Sequence, residues 1–339
     1  MFKKTATFKY LHNYKGEKRT MAMEKIIECV PNFSVSEAKD KKTFDAIIDC
    51  FRDVEGVKLL DYSSDADHNR SVVTVIGEPE PLKEVMVTAI GTAVKLIDMT
   101  KHVGQHPRMG CVDVVPFIPI RGTTVEEADA LAKEVATEAA EKFGQPFFLY
   151  EDSAKGLKHS ANLATIRKGQ FEGMAEKIAA DPETWTPDIG PSTIHPTGGA
   201  TVIGARMPLI AYNINLSTSS VEIAQKIADK IRNIKGGFKY CKAMGVLLEN
   251  KEDPSKNVAQ VSMNLTNYTK TSIYTVFETV RMEARRYGVN VMGSEIIGLV
   301  PLQALVDCAA YYLGLNNLEE SNCGFETKFT TDQVLETRL

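Results

Sequence analysis

The same order of patterns occurs twice in this chain, and that repeat constrains the fold more than any other feature. In the first copy residues 26–30 read as a strand ending at Pro31, 36–52 as a helix, 57–62 and 71–76 as two β-rich runs, and 80–99 as a helix. In that last segment Leu82, Val85, Met86, Ala89, Ile90, Ala93, Val94 and Ile97 recur at spacings of three and four, the period of a helix with one buried face. In the second copy residues 207–216 read as a strand, 219–234 as a helix, 240–248 and 258–265 as strands, and 271–287 as a helix. Each copy then gains one more strand, at 112–118 and 289–292. This is the element order of a ferredoxin-like unit. The expectation is an α+β protein of two ferredoxin-like subdomains, each a mixed sheet flanked by helices.

Between the copies a helix is predicted at 124–142, opened by Thr123/Thr124 with Glu126 and Glu127 in its first turn and closed by Gly144. A short strand at 146–150 and a polar helical stretch to residue 180 follow. Residues 181–199, rich in proline and glycine and holding the single tryptophan, Trp185, break the regularity. An apolar helix at 301–313 ends the second copy, and a terminal helix is expected from Thr331. The predicted units are 24–204 and 205–315, with 316–339 as a peripheral tail. Residues 1–23 are expected to be a disordered leader, or an upstream start ahead of Met21 or Met23.

Composition narrows function by exclusion. A length of 339 residues suits about two domains. A net charge of -4 offers no basic face for nucleic acid. No apolar run approaches the ~18 residues needed to span a bilayer. The six cysteines (Cys29, Cys50, Cys111, Cys241, Cys308, Cys323) form no C-x-x-C pair, and all but Cys323 sit in apolar segments. Reduced thiols in a cytoplasmic protein, without a metal, are expected. No G-x-G-x-x-G joins a strand to a helix and Walker A is absent, so the dinucleotide and P-loop folds are excluded.

The densest chemistry lies in Lys101-His102-Val103-Gly104-Gln105-His106-Pro107-Arg108-Met109-Gly110. Pro107 disfavours helix at His106, and Gly104 permits a tight turn before it. His106 is thus presented from an irregular loop, as a proton shuttle or as a structural loop histidine. A metal pair with His102 would need the helix that Gly104 and Pro107 oppose. Arg108 can clamp a carboxylate or pair with a nearby acid. The polar stretch 61–70, with Asp65, Asp67, Asn69 and Arg70, can orient the imidazole or hold an amine, or be a solvated hairpin turn. A calcium loop is not expected there, because the glycine and the bidentate acid are missing. Gly190, Pro191, Ser192, Thr193, Ile194, His195, Pro196, Thr197, Gly198 and Gly199 let a flat ring approach the main chain, or merely link two units.

Taken together, several pieces resemble the glutamate formimidoyltransferase (glutamate formiminotransferase) family. They are Glu28-Cys29-Val30-Pro31-Asn32-Phe33-Ser34, Asp67-His68-Asn69-Arg70, His106-Pro107-Arg108-Met109-Gly110, Asp113-Val114-Val115-Pro116-Phe117-Ile118-Pro119, residues 190–199, Ile203-Gly204-Ala205-Arg206, Asn213-Ile214-Asn215-Leu216 and residues 293–301. The resemblance runs from Lys25 to Leu313. It implies a single-function transferase moving a formimino group from N-formimino-L-glutamate to N5 of tetrahydrofolate, in histidine degradation, with the site between the subdomains. It places the family's catalytic histidine on His106 and its folate segment on residues 190–199. Asp65, Asp67, Asn69, Arg70, Arg108 and Arg206 are then the candidates for holding the donor. Tetrahydrofolate as co-substrate, no metal, and a cytoplasmic homodimer pairing through the second subdomain also follow from it, and the cyclodeaminase domain of bifunctional members has no counterpart. Three positions depart from the pattern. Val35-Ser36 stands where the family often has Glu-Gly, Gln105 where vertebrate members carry a glutamate, and Ser63 where they place a loop acid. The alternatives are formyl transfer from N-formyl-L-glutamate and a folate-binding paralogue without turnover.

Overall fold

Pro31 decides how the first sheet begins. Lacking an N–H, it interrupts the first strand, leaving β1 (Ile26–Cys29) and β2 (Asn32–Phe33) in succession between the same two neighbours. The computed structural model describes residues 25–250, 252–315 and 329–338, so the expected leader lies outside the described residues. The chain continues with α1 (Lys41–Asp49), β3 (Val57–Asp65), β4 (Arg70–Gly77), α2 (Pro79–Leu96) and β5 (Val112–Arg121). These strands lie in the order β3, β4, β1/β2, β5, every pair antiparallel, which is the ferredoxin-like arrangement. After α3 (Val125–Phe143), two parallel strands extend the sheet: β6 (Phe147–Leu149) and β7 (Thr201–Ala205), with β7 between β5 and β6. The first sheet is therefore mixed. Pattern reading misses β7 because it is buried at every position and shows no alternation.

One face of this sheet is packed by α1, α2 and α3, around fully buried Phe33, Phe51, Met86 and Ile90. Each such side chain contributes roughly 1.5–3 kcal/mol. Thr124 and Glu127 cap α3 reciprocally and Gly144 ends it in the left-handed region, as its sequence predicts. Helix α1 starts later than expected, because the Asp40 carboxylate takes the Thr43 N–H and fixes the first turn there. On the opposite face, α4 (Leu163–Ile166), α5 (Gln170–Ala180) and α6 (Pro182–Trp185) cover only part of the sheet. Ile166, Met174 and Ile178 pack there with Val114, Phe148, Tyr150 and Val202, from β5, the β6 end and β7. That cluster takes nothing from β1–β4.

The second subdomain runs β8 (Ile210–Leu216), α7 (Val221–Ile231), β9 (Cys241–Leu248), β10 (Val258–Leu265), α8 (Ile273–Arg286), β11 (Val291–Ile297) and α9 (Leu302–Leu313). Its order, β11, β8, β10, β9, is again ferredoxin-like, and all pairs are antiparallel. The helices bury Ile214, Leu216, Val261, Ile227 and Val276 against one face. The other face carries a polar net: Glu295 Oε1 accepts from Asn213 Nδ2 (3.1 Å) and from Gln260 Nε2 (3.0 Å). Strand β11 reaches Ile297, beyond its expected end at Met292. From Thr331 the chain forms 3-10 turns, not an α-helix. Among the described residues no helix is long and apolar enough to cross a membrane.

Candidate active site

A slip in strand pairing builds the site. Asn32 and Phe33 oppose Val114 and Val112, which makes Asp113 an extra residue on β5. Its carboxylate is wholly buried, accepting the Met109 N–H on Oδ1 (3.0 Å) and Arg167 Nη2 on Oδ2 (2.7 Å). Asp113 thereby fixes the end of the loop that carries His106 and ties it to Arg167, the residue that ends α4. The same loop is pinned elsewhere. Gln105 N–H donates to Asp67 O (3.1 Å) and Phe171 N–H to Arg108 O (3.0 Å). At Gly104 a Cβ would lie 2.2 Å from His68 O, so the loop can approach the β3–β4 hairpin only with glycine there.

His106 is half-buried on this loop, with its Nδ1 shielded from solvent and without a hydrogen-bond partner. The His68 ring stands edge-on to it at 5.8 Å. Burial, then the Arg70 and Arg167 guanidiniums, hold the imidazole pKa below its usual value, against weaker opposition from Asp113 and the Pro107 backbone. The ring is thus neutral at neutral pH and able to accept a proton.

Among the described residues no carboxylate bonds to His106. Most of the expected 61–70 loop is strand, and the turn is only residues 66–69. Asp65 closes that turn, accepting the His68 N–H (2.8 Å) and facing His68 Nδ1 (3.1 Å). Asp67 contributes its carbonyl to Gln105. Asn69, in the left-handed region at φ 48°, accepts both the Ser36 N–H and the Ser36 hydroxyl on Oδ1, each at 3.1 Å. The departure at Val35-Ser36 therefore has a structural use: Val35 enters the core and Ser36 anchors the hairpin.

The three candidate arginines separate. Arg70 opens β4 and shares its face with Val72 and Thr74, since Ser71, Val73 and Val75 alternate into the buried side. It is half-buried, and among the described residues it makes no hydrogen bond or ion pair; its Nε is shielded and unpartnered. Arg108 is engaged on every side. It pairs with both Glu172 oxygens (2.9 and 2.6 Å), with Gln170 Oε1 (3.0 Å) and with His102 Nδ1 (3.2 Å). His102 spends its other nitrogen on Asn69 O (2.9 Å), so it is not paired with His106 for a metal. Arg206 donates its backbone N–H to Phe117 O (3.0 Å), about midway along β5 and roughly 17 Å of strand from the His106 loop. There it neighbours Glu28, Tyr150 and Glu151, and Glu151 also feels Lys242 of the second subdomain.

Residues 190–199 brace the same loop. Gly190, Pro191, Ser192, Thr193 and Pro196 are exposed, Ile194, His195 and Thr197 half-buried, and Gly198 and Gly199 buried. Thr197 O accepts from Met99 N–H (2.8 Å) and Gly198 O from Cys111 N–H (2.9 Å). His195 Nδ1 accepts from Thr197 N–H (3.3 Å) and Gly198 N–H (2.8 Å), which places the neutral ring's proton on Nε2. Sequence reading misses Arg167 and Glu172, both in a polar stretch with no motif around them. A cavity of about 410 Å³ opens in the second subdomain beside Tyr212, Phe277 and Tyr312, away from all these residues.

Comparison with known proteins agrees with this layout. The model of the formiminotransferase domain, N-terminal subdomain, matches residues 26–206, and that of the formiminotransferase domain matches 211–324. A glutamate formimidoyltransferase of Streptococcus pyogenes serotype M1 is 51% identical over 297 residues, covering 88% of this chain and 96% of the relative. One from Thermoplasma acidophilum is 44% identical, covering 88% and 95%. The rat formimidoyltransferase-cyclodeaminase is 42% identical over 86% of this chain, which spans 53% of that longer protein. With both subdomains matched, the chain belongs to the formiminotransferase family and is a one-carbon-group transferase.

Proposed function

We propose that this enzyme transfers the formimino group of N-formimino-L-glutamate to N5 of tetrahydrofolate, with His106 as general acid and base. The carrying observation is a neutral imidazole with an unpartnered Nδ1, acted on electrostatically by a guanidinium, Arg70, that has no side-chain partner among the described residues. N5 attacks the formimino carbon, and His106 takes the proton that N5 must lose. The tetrahedral intermediate collapses when the same imidazole returns a proton to the glutamate nitrogen, which leaves with its electron pair as an amine. No covalent enzyme intermediate is needed, and much of the rate comes from holding two substrates in one place. Residues 190–199 suit the flat pterin, being exposed at 190–193 and braced against the His106 loop. A cytoplasmic homodimer completes the reading; exposed Leu302, Leu305, Tyr312 and Leu313 on α9 support pairing through the second subdomain.

The test supplies tetrahydrofolate with either N-formimino- or N-formyl-L-glutamate and follows the N5-substituted folate. Faster turnover of the formimino donor is expected. Preference for the formyl donor, or folate binding without product from either, overturns the reading.

The electrostatics give a second expected result. Arg70's charge disfavours the imidazolium, so Arg70→Gln raises the His106 pKa. The acid limb of the kcat/KM profile then moves to higher pH than in the wild type. A limb that stays in place separates Arg70 from His106.

A further inference from the structure

We infer that Arg70 and Arg167 together form the receptor for the α-carboxylate of the donor, and that this pair, not Arg108 or Arg206, sets donor specificity. The inference rests on the formimino-transfer reading and adds which donor group is recognised and by what. The Arg70 and Arg167 guanidiniums and the Asp113 carboxylate all act electrostatically on the His106 ring, and Arg167 pairs directly with Asp113 (2.7 Å). Both Asp113 oxygens are already engaged: Oδ1 accepts the Met109 N–H and Oδ2 accepts Arg167 Nη2. With His106 neutral, the cluster carries one uncompensated positive charge. Its unused donors are shielded from solvent: the Nε of Arg70 and the Nε of Arg167 both lack a partner. Sheltered N–H groups on a guanidinium are costly unless something accepts from them. One carboxylate of the ligand supplies the missing charge and two acceptor oxygens in the geometry a guanidinium prefers.

Donor chemistry selects which carboxylate. In N-formimino-L-glutamate the leaving nitrogen sits on Cα, and the α-carboxylate is bonded to that same carbon. A group that exchanges protons with the leaving nitrogen is therefore next to the α-carboxylate, while the γ-carboxylate lies two methylenes farther off. Arg70 and Arg167 are the guanidiniums that act on the His106 ring electrostatically. Arg108 is engaged by Glu172, Gln170 and His102, and Arg206 is paired with Phe117 midway along β5, roughly 17 Å of strand from the His106 loop. The glutamyl tail of the folate is separated from N5 by the p-aminobenzoyl group and cannot reach this notch while N5 faces His106.

The experiment compares three donors on the wild type, Arg167→Gln and Arg70→Gln: N-formimino-L-glutamate, 4-(formimino)aminobutyrate, which lacks the α-carboxylate, and N-formimino-L-2-aminobutyrate, which lacks the γ-carboxylate. The wild type is expected to reject the donor without the α-carboxylate by about 100-fold or more in kcat/KM, and the other donor much less. Each variant should lower kcat/KM for formiminoglutamate by about 100-fold, chiefly through donor KM, with tetrahydrofolate KM unchanged. Measured at a pH above the acid limb, where the shift in the His106 pKa costs little, each variant should lower kcat/KM far less for the donor that lacks the α-carboxylate than for formiminoglutamate, so discrimination collapses. Arg167→Gln also breaks the pair with Asp113, so Arg70→Gln, which breaks no pair, keeps the test informative if the first variant fails to fold. Equal losses on all donors in a folded variant, or rejection by the wild type of the γ-deficient donor alone, overturn the inference. A wild type inactive with every donor refutes the transfer reading itself.

Discussion

His106→Ala is expected to lower kcat for formimino transfer by about 10²–10⁴-fold, the usual contribution of a general acid–base group. Donor KM should change little, because the guanidiniums beside it remain. The fold should also survive, since Nδ1 makes no hydrogen bond and no carboxylate depends on the ring. A thermal unfolding curve matching the wild type would separate loss of chemistry from loss of structure. The acid limb of the rate profile, assigned to protonation of a depressed imidazole, should disappear in the variant. Added imidazole should recover part of the rate by entering the space the ring leaves. Near-wild-type transfer by the alanine variant would move the proton chemistry to another group. His68, edge-on at 5.8 Å and paired with Asp65, is the neighbouring imidazole to examine next.

Most of the fold is legible in the chain because both ferredoxin-like units follow simple periods. The 80–99 stripe becomes α2, and residues 258–265 become β10 at the expected positions. β7 escapes because a strand buried on both faces has no period to read. At the site, Pro107 and Gly104 place His106 on a loop from local rules alone. What sequence leaves open is which arginine is free. Arg70, Arg108 and Arg206 look alike as residue types, and they differ only in partners far along the chain. Glu172, which occupies Arg108, is 64 residues away, and Asp113, which organises Arg167, is 54 residues from it. Which role the acids of the 61–70 stretch take is open in the sequence for a related reason. The Asp65 carboxylate serves the turn itself, and the charges that shape the imidazole come first from the Arg70 and Arg167 guanidiniums, with the bulge residue Asp113 opposing them more weakly.

Asp188→Ala should destabilise the protein by roughly 3–5 kcal/mol, the cost of stranding a buried ion-pair partner. The partner is His159, whose side chain is 2% exposed against 13% for Asp188. Both ring nitrogens face acceptors, Nδ1 towards Ser160 O at 3.0 Å and Nε2 towards Asp188 Oδ2 at 2.8 Å. Only the imidazolium can donate to both. Burial alone would lower the His159 pKa; the Asp188 and Ser160 bonds outweigh it, so the pKa lies above the usual value, with Lys177 opposing. Lys177 lies over the same Trp185 ring that His159 stacks on, and burial brings its own pKa to about 8. Because the folded pKa exceeds the unfolded one, His159's contribution is complete below the unfolded pKa, ~6.5, and fades as pH rises through the folded value. In the Asp188→Ala protein the buried ring loses its counter-charge and is pushed towards neutrality. The stability gap between wild type and variant should therefore be widest below the unfolded pKa, ~6.5, and narrow as pH rises through the folded value. A gap independent of pH would show His159 to be neutral in the fold, and a Tm within a degree or two of wild type would remove the pair from the stability argument. The effect extends to the site because Asp188 Oδ2 also accepts the Leu149 N–H (2.7 Å), and Ile189 pairs with Phe147 immediately before residue 190. A loosened Asp188 frees the start of the glycine-rich segment, so tetrahydrofolate KM should rise in the variant while the formiminoglutamate KM holds.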